Sequence, residues 1–212
     1  PRRSSPAQGR VRPSGARRQS ETSRKVISMK SRTNLTAFFA LIAYHAISPS
    51  ASGQGRGSDV VYLDSGVPRR GSIVEIARDE ITIDVRGSTE RIAVHQIRNL
   101  TFSEEPTELR RARDLVRQGQ LETALSTLLQ TDIARVSRDA VRTDIQWYTL
   151  YCQAKLALAR GSDLTKPAKD MLKFVGDNQS SHHFYAAAEI LGDLAMGLDN
   201  FANAAKYYNA LN

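Results

Sequence analysis

Leu191-Gly192-Asp193-Leu194-Ala195, followed by Asp199-Asn200-Phe201, Ala204 and Tyr208, decides how this chain is read. The residue sizes repeat at helical spacing on either side of a polar break. Gly192, Ala195 and Ala204 are small where two helices would cross, and Phe201 and Tyr208 are large enough to fill the gap between them. The stretch predicts two short helices packed back to back, with Asp199-Asn200 as their turn. Such a pair cannot bury its own apolar face and needs neighbours.

Upstream, the chain supplies two further pairs. Leu109, Ala112, Leu115 and Val116 share one face of a first helix, Gln118-Gly119-Gln120 turns the chain, and Leu121, Ala124, Leu125 and Leu128 stripe a second. Ser103 is placed to cap the first helix, with Glu104 and Glu105 at the positive end of its dipole. Arg138 to Arg160 reads as a longer helix ended by Gly161, and Thr165 with Pro167 opens a partner carrying Ala168, Met171, Leu172 and Val175. Phe184, Ala188, Leu191 and Ala195 then begin the third pair. The Leu-Gly…aromatic…Ala…aromatic order resembles the second half of a tetratricopeptide repeat (TPR). The crossing residues Ala112, Ala154 and Gly192 are 42 and 38 positions apart. A regular repeat has about 34, so longer helices or loops are implied. The third pair stops at Asn212, so the protein is expected either to continue or to leave Tyr207 and Tyr208 poorly covered.

Before the helices, residues 59–103 change character. Val60-Val61-Tyr62-Leu63 and Ser72-Ile73-Val74-Glu75-Ile76 are strand candidates, with Pro68-Arg69-Arg70-Gly71 as a turn and Arg78-Asp79 as a hairpin. Ile81, Ile83 and Val85 alternate with Thr82 and Asp84, the period of a half-buried strand. Gly87 turns the chain again, and Ile92-x-Val94-x-x-Ile97-x-x-Leu100-x-Phe102 closes the segment, with His95-Gln96-Ile97 as a single 3₁₀ turn. Five short one-sided strands predict a small closed or nearly closed barrel. The order of features resembles SH3-like and Sm-like barrels. The expected fold class is therefore α+β in two domains: a five-stranded SH3-like barrel over 59–103 and a TPR-like solenoid over 104–212.

The 212-residue chain carries a net charge of +8, and its distribution is uneven. Residues 1–58 hold 11 Lys/Arg and one acid, Glu21, whereas residues 59–212 hold 19 Lys/Arg against 21 Asp/Glu. Residues 1–28 are rich in Pro, Ser, Gly and Arg and carry too little apolar surface to fold. Residues 29–53 have the layout of a secretory signal peptide: Met29-Lys30-Ser31-Arg32, a 13-residue run from Leu35 to Ile47 in which only Thr36 and His45 are not apolar, then Ala51 and Gly53 at positions −3 and −1. Such a run is shorter than the roughly 20 residues of a membrane span. Met29 is the expected native start and Gln54 the expected mature start, with 54–58 as a linker. An exported, periplasmic or envelope protein follows, attached to a membrane only if that segment is retained.

No nucleophile elbow, phosphate loop or His-Glu-x-x-His occurs, so no enzyme activity, catalytic residue or cofactor is expected. Adjacent helical side chains diverge by about 100°; His182-His183 is accordingly expected to bind no metal. Cys152, the single cysteine, reads as a buried thiol. Arg69, Arg70, Arg86, Arg91 and Arg98 would make one positive edge if gathered. The TPR resemblance implies a concave groove lined by the first helix of each pair. It would present Leu109, Arg113 and Val116, then Tyr148, Tyr151 and Lys155, then Glu189, Asp193 and Met196. From it follow the expected partner-binding residues Arg113, Tyr148, Tyr151, Lys155, Glu189 and Asp193, and a protein or peptide as the partner. The expected function is a non-catalytic scaffold. The alternative is a cytosolic nucleic-acid-binding protein that uses the barrel and the basic N-terminal arm.

Overall fold

Strand β1 (Asp59–Leu63) lies near the edge of a five-stranded antiparallel sheet, a position that follows from what flanks it. The computed structural model describes residues 58–211; the segments expected at 1–28 and 29–53, and all but Ser58 of the linker expected at 54–58, lie outside the described residues. β2 (Arg69–Ile76), β3 (Glu80–Val85), β4 (Ser88–Ala93) and β5 (Ile97–Thr101) complete the sheet in the order β4-β3-β2-β1-β5. A 3₁₀ turn at Val94–Gln96 joins β4 to β5, one residue from its expected place. The turn expected at Pro68–Gly71 is instead the start of β2, and Gly71 pairs with Asp59. Gly71 is required there, because a Cβ would land on the Asp84 carbonyl of β3.

The sheet is open: β4 and β5 pair with their inner neighbours and not with each other. This corrects the closed barrel expected from the strand pattern. The apolar face that a barrel would turn inward is covered by helices instead. Val61, Ile81, Ile83, Ile92, Leu100 and Phe102 of the sheet segment share one core with Leu109, Ala112, Leu128, Val141 and Ile145 of the helical segment. Each Val, Leu, Ile or Phe among them contributes about 1.5–3 kcal/mol when fully buried. One core therefore crosses the 103/104 change of secondary structure, and the described residues fall in one compact unit. β3 is also more enclosed than its alternation predicts. Thr82 is buried between Ile81 and Ile83, beside its cross-strand neighbours Glu75 and Arg91. The register shifts between Ile73 and Glu75, and Val74, left at this bulge, is exposed.

Six helices follow: α1 (Thr107–Arg117), α2 (Leu121–Leu129), α3 (Asp139–Arg160), α4 (Thr165–Asp177), α5 (Phe184–Gly197) and α6 (Phe201–Asn209). Their bounds match the apolar stripes closely; their caps do not. Ser103 does not cap α1, whose N-cap is Pro106; the Ser103 amide donates to Asp59 Oδ1 (2.7 Å). Asp163 accepts from the Thr165 amide at the start of α4 (2.9 Å), and Asn200 accepts from the Asn203 amide at the start of α6 (3.3 Å). Successive helices pack on one another, and α3 packs in addition on both α1 and α5. The odd helices therefore form one layer. A second core joins Trp147, Ala154, Met171, Phe174, Leu191 and Leu194. In the α5–α6 pair, a Cβ on Gly192 would overlap the Tyr208 ring, so Tyr208 fills the gap as expected. Phe201, expected beside it, is 59% exposed. No helix among the described residues is long and apolar enough to cross a membrane.

The sheet is tied to distant helices by polar contacts. Asp59 takes both Arg138 guanidinium nitrogens (2.7 and 3.0 Å) as well as the Ile73 amide (2.8 Å). At the β2–β3 hairpin, Arg78 donates to the Gln179 carbonyl (3.1 Å) and lies 3.9 Å from the Phe184 ring centroid. Tyr185 donates to Asp79 (2.6 Å).

Candidate functional site

The densest chemistry lies where the sheet meets the odd helices. Arg113 falls on the buried face of α1 with Leu109 and Ala112, and its side chain is 2% exposed. A guanidinium there requires partners. Glu105, just before α1, accepts from Nη1 at 2.7 Å, and Asp144, on the Val141/Ile145 face of α3, accepts from Nη2 at 2.6 Å. Glu105 also accepts from the Phe102 amide at 3.0 Å, which explains why it is turned inward rather than toward the helix dipole. On its other oxygen, Asp144 meets His183 Nε2 at 2.9 Å and His182 Nε2 at 3.7 Å. Trp147 stacks on His183 with ring centroids 4.8 Å apart, and Tyr148 meets the same ring edge-on.

Burial governs the electrostatics. It pushes the Asp144 carboxyl up, but His183 and Arg113 together outweigh it and hold the group well below the usual carboxylate range. Burial and then the neighbouring His183 push His182 down to about 3. Arg113 is lowered by burial and raised more strongly by Asp144 and Glu105, so it stays charged throughout the accessible pH range. Tyr148 is raised by burial and by the Asp144 charge. Breaking a buried pair of this kind costs about 3–5 kcal/mol, because one charge is left uncompensated.

The predicted groove divides in two. Arg113 is consumed by the network, and Tyr148 is half-buried beside Arg113 and the sheet-side residues Val94, Ile97 and Leu100. Neither is presented to solvent as a groove residue would be, because the sheet rests on that end of the odd-helix layer. The other four stand further along. Tyr151 is half-buried, and Lys155 on α3 pairs with Asp193 on α5 at 3.0 Å, each about one third exposed. Tyr208 donates to the same carboxylate at 2.9 Å, and Glu189 is exposed one turn away.

The expected positive edge also divides. Arg69 pairs with Glu90 and Arg91 with Glu80. Arg70 and Arg98 instead join Arg110 and Arg117 around a groove of about 760 Å³ between the sheet and α1. Cys152 is fully buried, and burial pushes its thiol up to about 11, as expected of a core cysteine.

Sequence reasoning missed Asp144 and the histidine pair as one cluster. The pair was placed on a helix, where adjacent side chains diverge; in the structure α5 begins only at Phe184, and the two ring centroids lie 3.8 Å apart. The carboxylate comes from 38 and 39 residues upstream rather than from the next helical turn. One signal was available: an aspartate on the apolar face of α3, between Val141 and Ile145. Comparisons with protein-family models, curated proteins and solved structures found no match.

Proposed function

We propose that this chain is a non-catalytic scaffold: an SH3-like sheet buttressing the start of a TPR-like helical array, whose free stretch binds an extended peptide or partner helix. The observation that carries the reading is the Lys155–Asp193 pair, which places the exposed polar edges of α3 and α5 on one surface beside Tyr151 and Glu189. A half-buried aromatic flanked by one cation and two carboxylates suits recognition of a mixed-charge segment. The signal-like layout of residues 29–53 supports work outside the cytosol, in the periplasm or envelope.

The test is a photo-crosslinking residue at Glu189, with Lys173 on the exposed side of α4 as control. A discrete adduct in the native cell at 189, absent at 173 and diminished by Tyr151→Ala, is the expected result. Equal labelling at both positions, or none, would remove the reading. A second reading, nucleic-acid binding, is favoured by the gathering of Arg70, Arg98, Arg110 and Arg117 on one groove. It requires affinity that falls steeply with salt and is lost in Arg70→Glu/Arg98→Glu.

A further inference from the structure

Asp144, His182 and His183 bring one oxygen and two nitrogens within 4.8 Å of one another. Two of the separations, 2.9 and 3.7 Å from Asp144 Oδ1 to the two imidazole nitrogens, bracket the spacing of about 3.4 Å that first-shell ligands of a tetrahedral zinc ion adopt. Arg113 holds Oδ2 and leaves Oδ1 facing the rings, the arrangement of a one-oxygen carboxylate ligand fixed by an outer-shell partner. Trp147 stacked on His183 fixes that ring in turn. His182 Nε2 lies beyond hydrogen-bond reach of Asp144, so the second nitrogen stands near that carboxylate without a bond to it.

We propose that Asp144, His182 and His183 form a binding site for a borderline divalent transition-metal cation, zinc in the first instance. Nitrogen-rich sets with one carboxylate favour zinc and its neighbours over magnesium or calcium, which prefer all-oxygen shells. The charge balance agrees. Glu105, Arg113 and Asp144 together carry one net negative charge, with the half-exposed Arg110 reaching Glu105 from the solvent side at 3.4 Å. The ion binds imidazole nitrogens and a carboxylate that carry no proton, so any proton between His183 and Asp144 leaves to solvent as it binds. Two features oppose binding, the Arg113 charge and the positive end of α5, and direct coordination by two imidazoles must outweigh both. The ion needs a way in and a fourth ligand. A cavity of about 270 Å³ borders all three residues, and the His182 side chain is 11% exposed, so water can complete the shell.

The proposal is independent of the scaffold reading and is tested on the full chain with metal alone. Titration calorimetry with Zn²⁺ is expected to show one site per chain, and Mg²⁺ none. Co²⁺ is expected to give the visible bands of a four- or five-coordinate ion. His182→Ala spares the Arg113–Asp144 and His183–Asp144 contacts and should weaken Zn²⁺ binding about ten-fold or more. His95→Ala, at an exposed histidine far along the sequence, should leave binding unchanged. Absence of stoichiometric Zn²⁺ binding, unchanged affinity in His182→Ala, or loss of binding in His95→Ala would each overturn the proposal.

Discussion

Two ion pairs cross the odd-helix layer, and they behave as different kinds of interaction. Arg113 on α1 meets Asp144 on α3 at 2.6 Å with both side chains 2% exposed. Lys155 on α3 meets Asp193 on α5 at 3.0 Å with about one third of each side chain exposed. In both cases a cation on one odd helix meets a carboxylate on the next. The first is closed over by the sheet and is met almost wholly by protein groups; the second is shared with water, which screens it and can replace either partner. Covering one end of the helical layer therefore makes a structural weld of one pair and leaves the other in contact with solvent.

Arg113→Ala would break the comparison at its strong end, leaving Glu105 and Asp144 buried without their counter-charge. A loss of about 3–5 kcal/mol is expected in chemical denaturation. Asp59→Asn tests the second buried carboxylate, at the sheet–helix junction. Burial pushes Asp59 up, but Arg138 and the Ser103 and Ile73 amides outweigh it and hold it below its ordinary value. Its contribution, about 2 kcal/mol, is present above the ordinary carboxylate pKa and lost as pH falls through the lower folded value. Denaturation curves of the wild type and Asp59→Asn should therefore converge on acidification below about pH 4. Gly71→Ala forces β2 away from the Asp84 carbonyl and should cost about 1–3 kcal/mol. Lys155→Met should cost less than about 1 kcal/mol while still altering the free surface. Cys152 reports on the shared core: alkylation of its thiol at pH 8 should be slow in the wild type and in Lys155→Met, and markedly faster in Arg113→Ala.

What could be read before folding was whatever repeats locally. The stripes Leu109/Ala112/Leu115 and Leu121/Ala124/Leu128 located α1 and α2 because helical burial recurs within a few residues. Ile81/Ile83 located β3 for the same reason at a period of two. The errors lie where a distant element decides. The sheet stays open because helices occupy the face a barrel would have enclosed. Ser103 is drawn to Asp59, 44 residues away, instead of capping α1. Phe201, apolar and correctly spaced, stays exposed because α6 reaches α5 through Ala204 and Tyr208. The Asp144–His182–His183 cluster eluded the reading twice over, since its carboxylate is on another helix and its histidines precede α5 rather than sit on it.

The contacts that lash the sheet to the helices also bear on how the chain acquires its structure. Asp59 reaches Arg138 across 79 residues, Arg78 reaches Gln179 across 101, and Tyr185 reaches Asp79 across 106. Stacked helical hairpins alone contact only their neighbours and can melt unit by unit. Here the sheet is fastened to segments 79 to 106 residues further along the chain, so the entropy of closing a long loop must be met before these contacts form. During synthesis Arg78 and Asp79, at the β2–β3 turn, cannot meet their helical partners until the chain has been extended through Tyr185. Once fastened, sheet and helices should come apart together, in a single transition rather than one hairpin at a time.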